Sequence, residues 1–294
     1  MLRRVTRKDW PFIGALTLPG LVLLTSFIAV PLFVIVQYSF RSARSFSAEG
    51  TFVGLDNYRY ILGSDSPFYE ALYLTLVYAG GSVLLQLVVG VGIALVLNKP
   101  FWGNGLLRGA SIVPYIIPAI VATLAWRWIL DPEVGILNVM LSTLGLGNIN
   151  FFSPSMAMVT VIGVSVWAWT PFVVIVFLAG LQTIPEELYE SARVDGAGAI
   201  RQFVSITLPM MKAVIVTILV LRGIWMFSKF DVVHLLTAGG PMNLTRTLPI
   251  LIYEEAFRNF NVGEGATIAV LSLILMLIAI LIFLKLTSSR DSVR

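Results

Sequence analysis

The chain has 294 residues, of which 57% are hydrophobic and only 12% charged, with a formal net charge of +4. Soluble domains carry about 25% charged residues. This chain has too few to cover a water-facing surface, which excludes a soluble globular protein, a disordered chain and a nucleic-acid binder. With no cysteine and a single histidine, His234, it also lacks a disulfide framework, a cysteine nucleophile and the ligand set for a thiolate or His-based metal site.

A helix needs about 20 mostly apolar residues to cross a bilayer. Gaps between charges place six such spans, near 12–40, 71–97, 107–130, 156–182, 213–236 and 265–286. The expected fold is therefore an all-α integral membrane protein. Residues 1–11 form a cytoplasmic N-terminal tail, 12–286 a six-helix transmembrane domain, and 287–294 a cytoplasmic C-terminal tail.

The first span follows Arg3, Arg4, Arg7 and Lys8, as a signal peptide would. Its charge-free run, Trp10 to Phe40, far exceeds a signal's roughly 7–15 apolar residues and reads as an uncleaved anchor. Gly80, Gly81, Gly90 and Gly92 give the second span small surfaces for close helix approach. Pro114 and Pro118 should bend the third, and Pro171 the fourth. Between these two, the Gly, Asn, Ser and Pro cluster from Leu144 to Ser155 reads as a loop. Lysine and arginine placement sets orientation. With the N-terminus inside, twelve basic residues fall on the cytoplasmic side and six outside, so both termini are expected in the cytoplasm.

The cytoplasmic segment 185–211 is unusual for a membrane linker. Glu186 to Val194 reads as a short helix with acids in its first turn, where the helix dipole favours them. Asp195-Gly196 is a turn signal, and Asp195 can cap a second helix over Ala199 to Leu208. Ile200, Phe203, Val204 and Ile206 give that helix an apolar face. Such a face either packs on its own protein or the lipid interface, or meets a partner.

The fifth span is interrupted by Arg222, Lys229 and Asp231. Arg222 lies about 14 Å along a helix from Ala213, near mid-bilayer. A charge there should face a partner or a wet cavity. Arg222, Trp225, Met226 and Lys229 fall on one helical face. An indole beside cationic donors suits a sugar, whose ring offers an apolar side and hydroxyls. The alternatives are an acid on another subunit for Arg222 and outward snorkelling for Lys229.

Glu190-Ser191-Ala192, Asp195-Gly196-Ala197, then Phe203, Ile206, Leu208 and Pro209 resemble the EAA loop of binding-protein-dependent ABC importer permeases, with Ser191 where the family has alanine. Leu235 to Pro241, Asn243, Thr245, Thr247, Leu248 and Tyr253 are similar to the sugar-importer branch, the maltose-type first permease subunit, and Gly135-Ile136-Leu137-Asn138 agrees. The resemblance implies the ABC type I importer permease fold and a bacterial plasma (inner) membrane location. It implies a heterodimer with a second permease subunit, two ABC ATPase subunits and an extracytoplasmic solute-binding protein. No cofactor or metal is implied, and no enzymatic activity.

By the same resemblance, Glu190, Ser191, Ala192, Asp195, Gly196, Ala197 and Phe203 couple to the ATPase, with Glu190 a polar contact and Gly196 the turn. Ser165, Trp169 and Phe172 on the fourth span and Trp225, Met226 and Lys229 on the fifth occupy the substrate pathway, which Arg222 joins by its position. Two cations in the path raise an acidic sugar or sugar phosphate as the alternative cargo. None of the five lysines follows a glycine, so no phosphate-cradling GxxxxGK[ST] loop is present and hydrolysis belongs to another chain. An ion-coupled secondary carrier is the rival class, disfavoured by six spans and few acids within them.

Overall fold

The computed structural model of the chain describes residues 10–45 and 50–288. Most of the two expected tails, with Arg3, Arg4, Arg7, Lys8, Arg290 and Arg294, lies outside that range, whereas Trp10 and Pro11 already belong to the first helix. That helix, α1 (Trp10–Leu24), passes through a wide π-helical turn at Thr25–Ala29 into α2 (Val30–Ser39). Its side chains from Ala15 to Phe33 are exposed all round, as suits a helix whose solvent is lipid.

Three further single helices are long and apolar enough to cross a membrane within α4 (Phe68–Leu97), α8 (Ala157–Leu181) and α15 (Val262–Ser288). The expected third and fifth spans are not single rods. The third is split into α5 (Asn104–Ile116) and α6 (Ala119–Ile129), which meet at 96°. Ile117 is extended, with φ −69° and ψ 130°, because a residue before proline is pushed out of the α region.

The fifth span departs further from expectation. Its main helix, α12 (Lys212–Phe227), stops at Ser228, and a separate short helix, α13 (Asp231–Thr237), begins after the break. At 1.5 Å per residue, α12 covers about 24 Å, short of a hydrocarbon core of about 30 Å. The break has a physical cause in the charged residues. Asp231 is favoured at the first turn of a helix, and it draws the Lys229 ammonium to 3.1 Å. Lys229 therefore does not extend the helical face of Arg222, Trp225 and Met226, contrary to the sequence pattern. At its other end, α12 meets the segment Ala199–Met210 at 68°.

The chain divides into two compact units. The first holds residues up to Phe68 with Ile252–Leu273. It contains a two-residue hairpin, β1 (Arg41–Ser42) against β2 (Thr51–Phe52), and the short α3 (Asp56–Ile61). Its hub is Ser39. The Ser39 hydroxyl lies 2.7 Å from the Tyr58 hydroxyl, and its carbonyl accepts from Asn57 Nδ2 at 3.0 Å and from the Thr267 hydroxyl at 3.1 Å.

The second unit, Tyr69–Leu251 with the segment from Ile274, carries the larger core. Half of the apolar window of α8 is buried, more than in any other single span. One apolar cluster gathers Val161 and Val164 of α8 with Tyr78, Met226, Val232 and Val233; another gathers Val173, Val174 and Phe177 with Ala94, Met211 and Ile218. Gly90 permits the close approach of α4 to α8, since a Cβ there would stand 2.7 Å from that of Val173. Of the four glycines expected to serve helix packing, Gly81 also faces a neighbour, Ile162, whereas Gly80 and Gly92 face open space.

The loop after α6 is tied down by polar groups. Asp131 accepts backbone N–H bonds from Val134 and Glu133 at 3.0 and 2.9 Å, which hold its carboxyl below the usual carboxylate range. Asn138, on α7 (Ile136–Thr143), donates to the Ile149 carbonyl at 3.0 Å and accepts from the Ile149 N–H at 2.9 Å. After α13 the buried Thr245 fixes a compact turn ahead of α14 (Leu248–Tyr253): it pairs with the Thr237 hydroxyl at 2.7 Å and donates to the Gly240 carbonyl at 2.8 Å.

Candidate functional site

Two places in the second unit gather the residues singled out from the sequence. The first is a cleft of about 520 Å³ lined by Tyr115 of α5, Trp169 of α8, Arg222, Trp225 and Met226 of α12, and the break residues Ser228 to Asp231. The break places these groups. It ends α12 just past Trp225 and lets Lys229 fold back until its Nζ stands 4.1 Å from the centre of the Trp169 ring. Tyr115 meets Trp169 edge-on at 5.7 Å, and Phe172 meets Trp225 edge-on at 5.1 Å.

Phe172 therefore stands behind the cleft wall. Ser165 is fully buried and lies deeper, its hydroxyl 2.8 Å from that of Tyr78. The structure thus brings Trp169, Arg222, Trp225, Met226 and Lys229 to one space and sets Ser165 and Phe172 beneath it. The Trp169 indole N–H has no acceptor within the described chain. That N–H is itself buried, so what the cleft wall offers is indole surface and the Lys229 ammonium.

The electrostatics are settled within the chain. Lys229 is neutralised by Asp231. Arg222 is 1% exposed and has no carboxylate partner among the described residues. Its Nε donates to Gln86 Oε1 at 2.8 Å, and its guanidinium lies 5.4 Å from the rings of Trp169 and Trp225 and 5.8 Å from that of Phe172. Ring faces attract a desolvated cation by about 2 kcal/mol or more. This is the partner that a charge at this depth requires, and it comes from the same subunit. Sequence reasoning missed Gln86, Tyr78 and Tyr115. The signal for Gln86 was available: it is the only carboxamide in residues 71–97.

The second place is the segment 185–211. α9 (Glu186–Val194) forms as expected and ends at Asp195. Gly196 then takes φ +77°, and the next helix starts at α10 (Ala199–Gln202). Asp195 does not cap that helix, contrary to the sequence pattern. Gly198 occupies the cap, because the left-handed residue at 196 and two more are needed to turn the chain. From Phe203 the backbone widens into a π-helical stretch, Phe203–Thr207, and closes with α11 (Leu208–Met210).

The two short helices are pinned by Tyr189 and Thr207, whose hydroxyls are 2.9 Å apart, and by Gln202 donating to the Ala197 carbonyl at 2.7 Å. The apolar face of the second helix splits. Phe203 and Ile206 are half-buried, whereas Ile200 is 82% exposed and Val204 is also exposed. Ser191, Ala192 and Asp195 line a hollow of about 350 Å³ between the helices, with Ile206 and Pro209 opposite. Glu190 and Gly196 stand exposed beside it, and Ala197 and Phe203 are half-buried.

The family described as binding-protein-dependent transport system inner membrane component matches residues 86–290. The chain is similar to the trehalose/maltose transport system permease protein MalF of Thermococcus litoralis, at 35% identity over 91% of this chain and 90% of that protein. It is similar to the sulfoquinovosyl glycerol transport system permease protein SmoG of Agrobacterium fabrum, at 34% identity over 93% and 89%. Among solved structures it is similar to a chain of a bacterial ABC transporter involved in the import of the acidic polysaccharide alginate. The TM-score there is 0.83, at 24% identity over 96% of both chains, and this likeness is one of fold.

Proposed function

The chain belongs to the binding-protein-dependent inner membrane transport components, a multi-pass permease subunit of an ABC importer and not an enzyme, and from that premise we propose that it forms half of the path for a sugar or oligosaccharide. A second permease subunit supplies the other half, two ATPase subunits hydrolyse ATP, and an external binding protein delivers the cargo. Both termini lie in the cytoplasm, and both compact units contribute to the permease region, residues 12–286.

The observation that carries the sugar reading is the cleft, where indole rings from two helices meet a neutralised lysine. An aromatic face covers the apolar side of a sugar ring, and polar donors meet its hydroxyls. A neutral sugar fits better than an acidic one, because Asp231 already occupies Lys229 and Arg222 is withdrawn behind the rings. The likeness to a trehalose/maltose permease supports the same class. The segment 185–211 receives the ATPase: Ile200 and Val204 offer it apolar surface, Glu190 a charge, and Ser191, Ala192 and Asp195 the hollow. Ala197 and Phe203 hold the second helix in place.

The test is reconstitution of the whole transporter with its binding protein in proteoliposomes, using radiolabelled maltose and trehalose. The expected result is accumulation that requires internal ATP and falls sharply in Trp225→Ala. Accumulation by this chain alone, or accumulation driven by an ion gradient without ATP, would overturn the reading.

A further inference from the structure

Arg222 sits within an apolar helix with no acid to hold it among the described residues. A charge in that setting stays only where polar groups replace water. Gln86 on α4 is such a group, itself fully buried and with its carboxamide engaged at both ends. Its Oε1 accepts from Arg222 Nε at 2.8 Å, and its Nε2 lies 3.5 Å from both the Ser165 carbonyl oxygen and the Met226 sulfur. One amide thus ties α4, α8 and α12 together. Two of the rings that face the guanidinium, Trp169 and Trp225, are also walls of the cleft. The place of the cation and the shape of the wall are therefore one arrangement.

We propose that Gln86 is a specificity-determining positioning residue that holds Arg222 against the rings, so that the cleft presents indole surface in place of a free guanidinium. A neutral, hydroxyl-rich ring then meets a wall without net attraction for anions. Release of Arg222 would put a cation into the cleft and distort both indoles. The role in specificity rests on the cleft being the sugar path; the positioning of Arg222 does not.

Gln86→Met keeps the length of the side chain but removes its acceptor and donors, whereas Gln86→Glu keeps the acceptor. The assembled, nucleotide-free transporter in nanodiscs is treated with phenylglyoxal, an arginine reagent, and modified residues are mapped by peptide mass spectrometry. Arg59, whose side chain is 79% exposed, is the internal reference. In the unsubstituted protein, Arg222 is expected to react at least about tenfold more slowly than Arg59, the protection of a group reached only by local opening. Gln86→Met should raise the Arg222 rate by about tenfold, and Gln86→Glu should keep it low. Gln86→Asn, too short to reach, replaces the methionine variant if that one does not assemble.

Equal rates at Arg222 and Arg59 in the unsubstituted protein, or unchanged protection in Gln86→Met, would overturn the proposal. The transport arm measures maltose uptake. Gln86→Met should raise the half-saturating concentration by a larger factor than it lowers the maximal rate, and Gln86→Glu should restore it. If Trp225→Ala leaves maltose uptake unchanged, the sugar-path reading fails and the labelling result stands. If Trp225→Ala impairs uptake while Gln86→Met exposes Arg222 without moving half-saturation, the specificity role alone fails.

Discussion

Gly196 is the residue whose backbone alone decides a geometry. Its φ of +77° lies in the left-handed region, and a Cβ there would meet nothing within 4 Å. A side chain at this position is therefore opposed by backbone strain of about 1–2 kcal/mol and not by a clash. A β-branched residue is the least tolerant of that conformation. In Gly196→Val the turn opens toward a right-handed conformation and re-aims α10 against α9, while the membrane helices keep every contact they have. Sugar uptake should be lost and the amount of protein in the membrane unchanged, as read by transport and immunoblot on the same vesicles. Full uptake in that variant would remove Gly196 from its proposed coupling role. Arg222 shows the opposite kind of residue, held by an amide and three rings contributed from three helices. Its depth and charge were legible in the sequence. Its holder left a signal as the only carboxamide in residues 71–97, but a search for charges passes over an uncharged group such as Gln86.

Helix contacts differ in how much they tolerate at the level of whole elements. Gly90 of α4 faces Val173 of α8, and a Cβ would come within 2.7 Å of a β-branched side chain that cannot swing aside. Gly90→Ala should force the two helices apart and destabilise the protein by about 1–3 kcal/mol. Gly92, two residues on, faces open space, so Gly92→Ala should be neutral or stabilising by up to about 1 kcal/mol through helix propensity. Thermal unfolding in detergent, followed by tryptophan fluorescence, distinguishes them: a lower midpoint for the first and an equal or higher one for the second. Equal midpoints would refute the close approach as a constraint. The sequence pattern assigned both glycines to packing, since glycine spacing does not tell which face meets a neighbour. Spans one, two, four and six were legible because a long charge-free run has one reading in a bilayer. Span three was read as bent from Pro114 and Pro118, but not as a 96° break. Span five was misread because helical periodicity carried one face from Arg222 to Lys229, whereas the attraction between Lys229 and Asp231 closes a break that ends the helix at Phe227.

Orientation is a property of the whole molecule, and it decides which of the two assembled places faces which compartment. The cleft with Lys229 and the segment around Gly196 lie at different positions along the fifth span, on either side of α12. On the proposed orientation, which rests on the charge asymmetry, the second of these faces the cytoplasm, where an ATPase can reach it, and the loop between α6 and α8 faces outside. That loop has no basic residue from Trp128 onward, so nothing in it opposes translocation. The chain contains no cysteine, so any introduced thiol is the single reporter of its position. Ser142 in the loop and Ser191 on α9 are both exposed, and a thiol at either would be accessible from its own side. In spheroplasts, a membrane-impermeant maleimide should label Ser142→Cys at once and Ser191→Cys only after permeabilisation. The reverse pattern would turn the protein over and separate the segment 185–211 from any cytoplasmic ATPase. Labelling of both from outside would show that α8, the span between them, does not cross the bilayer, against the six-span reading of the fold.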